Sequence, residues 1–399
     1  MRNLLIILFG FAFGFILLAA APPTKKSNET PHLVVTDVLT ARQSPWDMAF
    51  LPDMTMFFTE KCEGLSVLHP DGSIDRLFGT SGSALEATDL FCVGQSGMNG
   101  VTLDPDFANN RFIYVFMSSN LSTNPRTNRV IRLVVANDNK AVSDRVDIVT
   151  DIAFKDQPNA WGEAGSHSGG RLRFGPDGYL YITTGDNHNG TLPQDPARLG
   201  GKILRVDRDG VAAPDNAFPA GGDIRIFAYG LRNPQGITFK PGSGRAMIAE
   251  HGPNHSDEVT ALTNGGNGGW DPKPDPGVVC ADDYCGYISN KASGELTPMT
   301  DDTKFPDAMK PLWILQDSQG MGPATFITGA QWKTWDGALL IGVMAEMKVH
   351  ALNLNANDEL IGTTPMALPA VRYRSLVQGP DGNLYVATDE GQILKVTPQ

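Results

Sequence analysis

A single histidine, His167, stands among serines and glycines in GSHSGGR, just ahead of a segment that runs to TTGD. Imidazole is the side chain that titrates nearest neutral pH, so a histidine at the mouth of a strand is suited to take a proton from a bound hydroxyl. A solvated or capping histidine would look the same in isolation. Arg372 and Arg374, in VRYR, lie two apart on an extended segment and so share a face. Such a pair fits the carboxylates of an anionic ligand, or serves as a solvated edge. Arg232 and Asn233 precede a proline in YGLRNPQG, where they either fix a turn or meet a ligand. The segment EHGPNHSDE (250–258) concentrates carboxylates and carbonyls, which either staple a loop or form the oxygen-rich set that calcium takes. GQSG (94–97) adds an amide, Gln95. What raises these above their bland explanations is their company: a base, anion-binding arginines and a hard-cation loop in one chain.

The elements that must position them are strands. One pattern recurs: an apolar strand, a turn rich in Pro, Asp and Gly, and a second apolar or aromatic strand. It appears in MAFLPDMTMFFTE, GVTLDPDFANNRFIYVFMS, GRLRFGPDGYLYITTGD, GITFKPGSGRAMIAEHG, TFITGAQWKTWDGALLIGVMAE and SLVQGPDGNLYVATDEG. Proline presets the first corner of such turns, and glycine supplies the positive φ of a tight reversal. These repeats point to an all-β chain, a six-bladed β-propeller of four-stranded antiparallel sheets, ahead of a pair of ordinary β-domains. HLVVTDVLT (32–40) is expected to close the ring against the last blade, and the connection 271–324 to be a surface excursion. The polar clusters fall just outside the strands, so five loops from five units can face one space.

A formal net charge of −12 over 399 residues argues against nucleic acid and anionic lipid as partners. Any anionic ligand must be held by local cations. Arg2 and the apolar run that follows it read as a signal peptide over 1–21, or an uncleaved anchor that would place the protein at a membrane. A linker over 22–31 and a propeller over 32–399 complete the organisation, in a periplasmic or secreted protein. Four cysteines allow three pairings; Cys62–Cys92 with Cys280–Cys285 is favoured, as structural disulfides of an exported chain.

HSGGRLRFGPDGYLY, GGKILRVDRDG, YGLRNPQGITF, EHGPNHSDE and RYRSLVQGPDGNLY, in that order over residues 40 to 399, resemble the soluble quinoprotein sugar dehydrogenases. This is the glucose/sorbosone dehydrogenase family, which uses pyrroloquinoline quinone on a six-bladed propeller. The resemblance implies oxidation of an aldose to a lactone, with electrons passed to an external acceptor. It makes His167 the general base, Arg232 the positive group beside the reacting quinone carbonyl, and Asn233 a cofactor contact. Gln95 would lie over substrate and cofactor, and Arg372 and Arg374 would bind cofactor carboxylates. The carbonyls of Gly252 and Pro253 would hold a calcium ion, and Glu258 with the carbonyl of Gly268 a second, structural one. Three departures accompany it. Ala345 stands where some members have a lysine, with Lys348 nearby; Ser166 replaces an aspartate beside the histidine; and GGNGGWDP lacks an aromatic residue before Gly-Trp. Two other functions fit a propeller, a non-catalytic binding protein and a metal-dependent lactonase. The first has no need of His167 with Arg232, and the second none of Arg372 with Arg374.

Overall fold

The computed structural model describes residues 29–158, 162–279, 284, 286 and 295–399. The expected signal peptide and the Cys280–Cys285 pair lie outside the described residues. Six antiparallel sheets form a ring. Blade 1 runs from Pro45–Phe50 at the centre outward to Ile74–Gly79, blade 2 from Met98–Leu103 to Val142–Ile152, and blade 3 from Leu172–Phe174 to Ile226–Tyr229. Blade 4 runs from Pro234–Phe239 to Pro311–Asp317, and blade 5 from Met321–Phe326 to Leu360–Pro365. Blade 6 starts at Tyr373–Gln378 and ends on Leu33–Leu39, the first strand among the described residues. That strand pairs antiparallel with Ile393–Pro398, Leu33 opposite Pro398, so this early strand closes the ring against the last blade as expected. Two blades carry a fifth, two-residue parallel strand, Leu85–Glu86 and Gly266–Asn267. The connection 271–324 is only partly an excursion, because Pro311–Asp317 is the outer strand of blade 4 and Tyr284 is fully buried.

Burial follows from the ring. Every second residue of an inner strand faces a neighbouring blade, and the buried apolar side chains gather into one cluster per blade interface. Phe57, Leu65 and Phe78 of blade 1 meet Val101, Val115 and Ile131 of blade 2. The last interface closes the circle, with Met48, Met56 and Phe58 of blade 1 against Tyr385, Ala387 and Ile393 of blade 6. The G-P-D-G turns repeat in detail. In both, the final glycine donates to the first at 2.9 Å, with φ of +81° at Gly178 and +75° at Gly382. Tyr181 and Tyr385 then close on the turn aspartates, Asp177 and Asp381.

At the axis the first strands meet around a buried ion cluster. Asp47 of blade 1 is fully buried and lies 2.7 Å from Arg171 and 2.8 Å from Arg173, both carried by blade 3. It also accepts from the Val101 backbone at 3.1 Å and the Ser375 hydroxyl at 2.9 Å. Burial opposes its charge, but the two guanidinium groups outweigh that and hold its pKa below the usual carboxylate value. Burial pushes Arg171 down to about 10, so it remains cationic at neutral pH. Removing one member of such a cluster strands the others without solvent. Asp47→Ala is expected to cost about 3–5 kcal/mol of stability in urea unfolding. Lys348→Ala, which deletes a half-exposed pair with Glu346, should cost less than about 1 kcal/mol. Equal losses would refute the hub's structural role.

Candidate functional site

Above the hub lies a cavity of about 480 Å³. Its wall includes His167, Gln95, Asn233 and the Arg372–Arg374 pair from four separate segments, together with Lys61, Asn99, His188, Gln235 and His251. The strands deliver these side chains through an irregularity that recurs in blade after blade. Pairing slips between Pro45 and Asp47, Met98 and Val101, Pro234 and Gly236, and Tyr373 and Ser375. Trp46, Asn99, Gln235 and Arg374 sit within those slips, and all four line the cavity. A bulge bends its strand and re-aims a side chain; here it turns side chains into the channel. Arg171 then locks three of the bulges, donating to the carbonyls of Trp46, Gln235 and Arg374 at 3.4, 3.1 and 2.8 Å.

His167 is 6% exposed and adopts a φ of +54°, a left-handed backbone that a non-glycine residue keeps only where its surroundings enforce it. Its Nδ1 lies 2.7 Å from Asp186 Oδ1. The other oxygen of Asp186 accepts from the Trp270 indole at 2.9 Å. Burial, and after it the charge of Arg232, pushes the histidine well below its ordinary pKa, so it is neutral at physiological pH. An indole N–H only donates, and with the carboxylate accepting, Nδ1 of His167 carries its proton and Nε2 offers a lone pair. Asp186 thus orients the imidazole, the task left open by Ser166. Sequence reasoning missed this residue although it ends the TTGD segment. The signal was strand register: Leu172 pairs with Ile182, which brings residues following 184 alongside those preceding 170.

The cationic side of the cavity is formed by Arg372, Arg374 and Lys61. Both arginines hold Asp389, at 3.1 and 2.7 Å. Lys61 donates to the Gly94 carbonyl at 2.7 Å. Three cations against one carboxylate leave this wall positive in an acidic protein. Lys61, the second residue that sequence reasoning missed, follows directly on the strand Met56–Glu60. The structure sets Lys348 on Glu346, away from the cavity wall.

Arg232 is fully buried and does not line the cavity; its guanidinium donates to the His251 carbonyl at 2.7 Å and the Tyr284 hydroxyl at 2.9 Å. Asn233 accepts from the Gly169 backbone at 3.2 Å, tying the loop of blade 4 to that of His167. Gly252 and Pro253 are buried next to His251, and the Gly252 carbonyl accepts from Ser318 at 3.1 Å. Glu258 and Gly268 both pack around segment 230–233. Glu258 does so through Glu250, its partner across two strands, which accepts from the Arg232 and Asn233 backbones. Gly268 does so through the Gly230 carbonyl, which a side chain at 268 would strike. Burial and the neighbouring Glu258 push Glu250 up to about 8, and burial pushes Glu258 up to about 7. Among the described residues, no group of three or more His, Cys, Asp or Glu could hold a metal ion.

A disulfide joins Cys62 to Cys92, the favoured pairing of these two. It pins the turn carrying Lys61 to the loop carrying Gln95, whose backbone donates to Ala164 at 2.9 Å. Replacing both cysteines by serine is expected to lower stability to urea by about 2–4 kcal/mol. An unchanged unfolding midpoint would show that the loop is held without it.

A model of the family described as Glucose / Sorbosone dehydrogenase matches residues 42–395. The aldose sugar dehydrogenase YliI of Escherichia coli (strain K12) is 30% identical over 389 residues, which span 92% of this chain and 94% of that protein. The quinoprotein glucose dehydrogenase B of Acinetobacter calcoaceticus is 27% identical over 456 residues, 95% of this chain and 89% of that one. Among solved structures, the apo-form of the soluble aldose sugar dehydrogenase from Escherichia coli superposes with a TM-score of 0.77 at 28% identity. That likeness covers 92% of this chain and 100% of the other.

Proposed function

The chain belongs to the glucose/sorbosone dehydrogenase family of oxidoreductases, and on that premise we propose that it oxidises an aldose to a lactone with pyrroloquinoline quinone and calcium. The observation that carries this reading is the sharing of one cavity by a neutral, carboxylate-oriented imidazole and a cluster of cations. The name of the Acinetobacter relative, a quinoprotein, points the same way. Pyrroloquinoline quinone bears three carboxylates. The cavity of about 480 Å³ and its positive wall suit such a ligand. For calcium, the carbonyls of Gly252 and Pro253 are hard oxygen donors but bring no charge, so an anionic ligand must complete the site. The buried Glu250–Glu258 pair is the kind of uncompensated acidic site that a second cation relieves.

When bound, the quinone would supply the acceptor for the hydride that leaves the sugar's hydroxyl-bearing carbon, and calcium would supply a Lewis acid. The chain's own residues do the rest. Arg372, Arg374 and Lys61 hold carboxylates, and Asn233 and Gln95 present amides to the ligand. His167 Nε2 takes the proton of the sugar hydroxyl, while Asp186 keeps the ring in the competent tautomer and steadies the imidazolium that forms. The Arg232 guanidinium, one layer behind His251, lowers the basicity of His167 and so favours release of that proton after turnover. We further propose export, which the Cys62–Cys92 disulfide and the apolar N-terminal sequence support. An external acceptor would then reoxidise the enzyme.

Protein supplied with calcium and the quinone should reduce a redox dye when aldoses are added. His167→Ala should lower kcat by about 10²–10⁴-fold with quinone uptake retained. Arg372→Ala with Arg374→Ala should instead weaken uptake. Lack of both quinone binding and dye reduction would reject the dehydrogenase reading.

Calcium makes a separate prediction. Glu250 and Glu258 bind protons more tightly in the folded protein than their ordinary value of 4.5 allows. Calcium-free stability should therefore fall as pH rises from about 4.5 toward 8, since the unfolded chain releases those protons first. Added calcium should raise the melting temperature more at pH 8 than at pH 5.5, and Glu258→Gln should remove most of that gain. A calcium response that is equal at both pH values would place the ion elsewhere.

A further inference from the structure

The chemistry above leaves one buried imidazole without a task. His188 is 6% exposed, lines the same cavity, and places its Nε2 at 2.9 Å from Nε2 of His167. The two ring centroids are 3.8 Å apart, with planes inclined by 60°. Which nitrogen donates is fixed by the chain of partners. Trp270 donates to Asp186, Asp186 accepts from Nδ1 of His167, and the neutral His167 keeps only a lone pair on Nε2. Nε2 of His188 must therefore carry the hydrogen between them. That bond occupies the one atom on which the base works.

We propose that His188 is a positioning residue that caps the base: its Nε2–H fills the acceptor site of His167 in the empty protein, and a sugar hydroxyl must displace it before giving up its proton. The displacement rests on the dehydrogenase reading; the hydrogen bond does not. The backbone is shaped for this contact. Asn187 and His188 both adopt left-handed conformations, φ +53° and +54°, which cost free energy in non-glycine residues. They are held there by His188 N donating to Asp186 Oδ1 at 3.0 Å and by Asn187 Nδ2 donating to the His167 carbonyl at 2.9 Å. Gly162 makes room, since a side chain there would meet His188 Cε1 at 2.5 Å. A ring that only filled space would need neither the strained backbone nor the 2.9 Å approach of the two nitrogens.

The charged and titratable groups facing the pair are Asp186, Arg232, Lys155, His251 and Tyr284. Burial first, then Arg232 and Lys155 among the charges, keeps both rings neutral, so the bond persists through the physiological pH range. Capping satisfies the base without water, at the expense of substrate affinity. A neutral hydrogen bond of this kind corresponds to about a 2- to 10-fold effect on binding.

The test uses the full chain with ¹⁵N-labelled histidine. In ligand-free protein, NMR should show a proton-mediated coupling between the two Nε2 atoms, and saturating sugar should abolish it. In His188→Ala the His167 Nε2 resonance should move, whereas His188→Asn, which keeps an N–H donor, should hold it nearer its original position. With the quinone and calcium present, His188→Ala should lower KM for the sugar by about 2- to 10-fold and change kcat less. The cap is overturned by an absent coupling, by a coupling that survives saturating sugar, by an unmoved His167 resonance in His188→Ala, or by an unchanged KM. Failure of the dehydrogenase reading looks different: no sugar is oxidised by the reconstituted parent protein, whatever the coupling.

Discussion

The structure depends on a carboxylate buried at the axis of the ring. Six sheets packed face to face around the ring leave a channel where the first strands converge, and an apolar lining there would not fix their relative depth. Asp47 and Arg171 fill it with charge that has no access to water, and the half-buried Arg173 completes the cluster. Such a cluster is costly to bury and more costly to break, so its geometry is strongly enforced. Its partners come from blades 1, 2, 3, 4 and 6. The apolar clusters at the blade interfaces supply bulk stability; the ion cluster supplies registration.

That registration reaches the ligand cavity directly. Arg171 binds the carbonyls of Trp46, Gln235 and Arg374 beneath the cavity, and the side chains of the same residues form its wall. A strand that slipped along the axis would lose its bond to Arg171 and withdraw its side chain from the ligand. The cavity is divided by charge. Arg372, Arg374 and Lys61 form a positive wall against a protein of net charge −12. The imidazoles of His167 and His188 are kept neutral by burial and by Arg232. Under the proposed function, anion capture and proton abstraction would thus occupy one space with different electrostatics, as oxidation of a neutral sugar by an anionic cofactor would require.

Much of this was legible in the sequence, for physical reasons that differ by residue. The G-P-D-G turns were readable because proline and glycine restrict the backbone wherever they occur, and they forecast the hairpins of blades 3 and 6. The loops of His167, Gln95, Asn233 and the Arg372–Arg374 pair were readable because polar residues just past apolar strands must leave the sheet at its end. Asp186, His188 and Lys61 also follow apolar strands, but nothing in their own segments set them apart from ordinary strand-end polar residues. Their proximity to the cavity comes from strand pairing within blades 1 and 3, which composition does not encode. The bulges were hidden for a related reason: one extra residue breaks the alternation of buried and exposed positions without any characteristic residue type. Arg232 shows a different limit: its segment left a turn and a ligand contact equally open, and the structure buries it fully with its guanidinium on the His251 carbonyl. The connection 271–324 looked like an excursion because it is the longest departure from the repeating hairpin pattern, yet 311–317 completes blade 4.

The central claim is that a polycarboxylate quinone and a sugar share the space between the Arg372–Arg374 wall and the His167–Asp186 pair. A crystal structure of the protein soaked with pyrroloquinoline quinone, calcium and an aldose tests it most directly. The account predicts quinone carboxylates on Arg372 and Arg374 and a sugar hydroxyl within hydrogen-bond distance of His167 Nε2. Quinone density elsewhere, with this cavity empty, would contradict it.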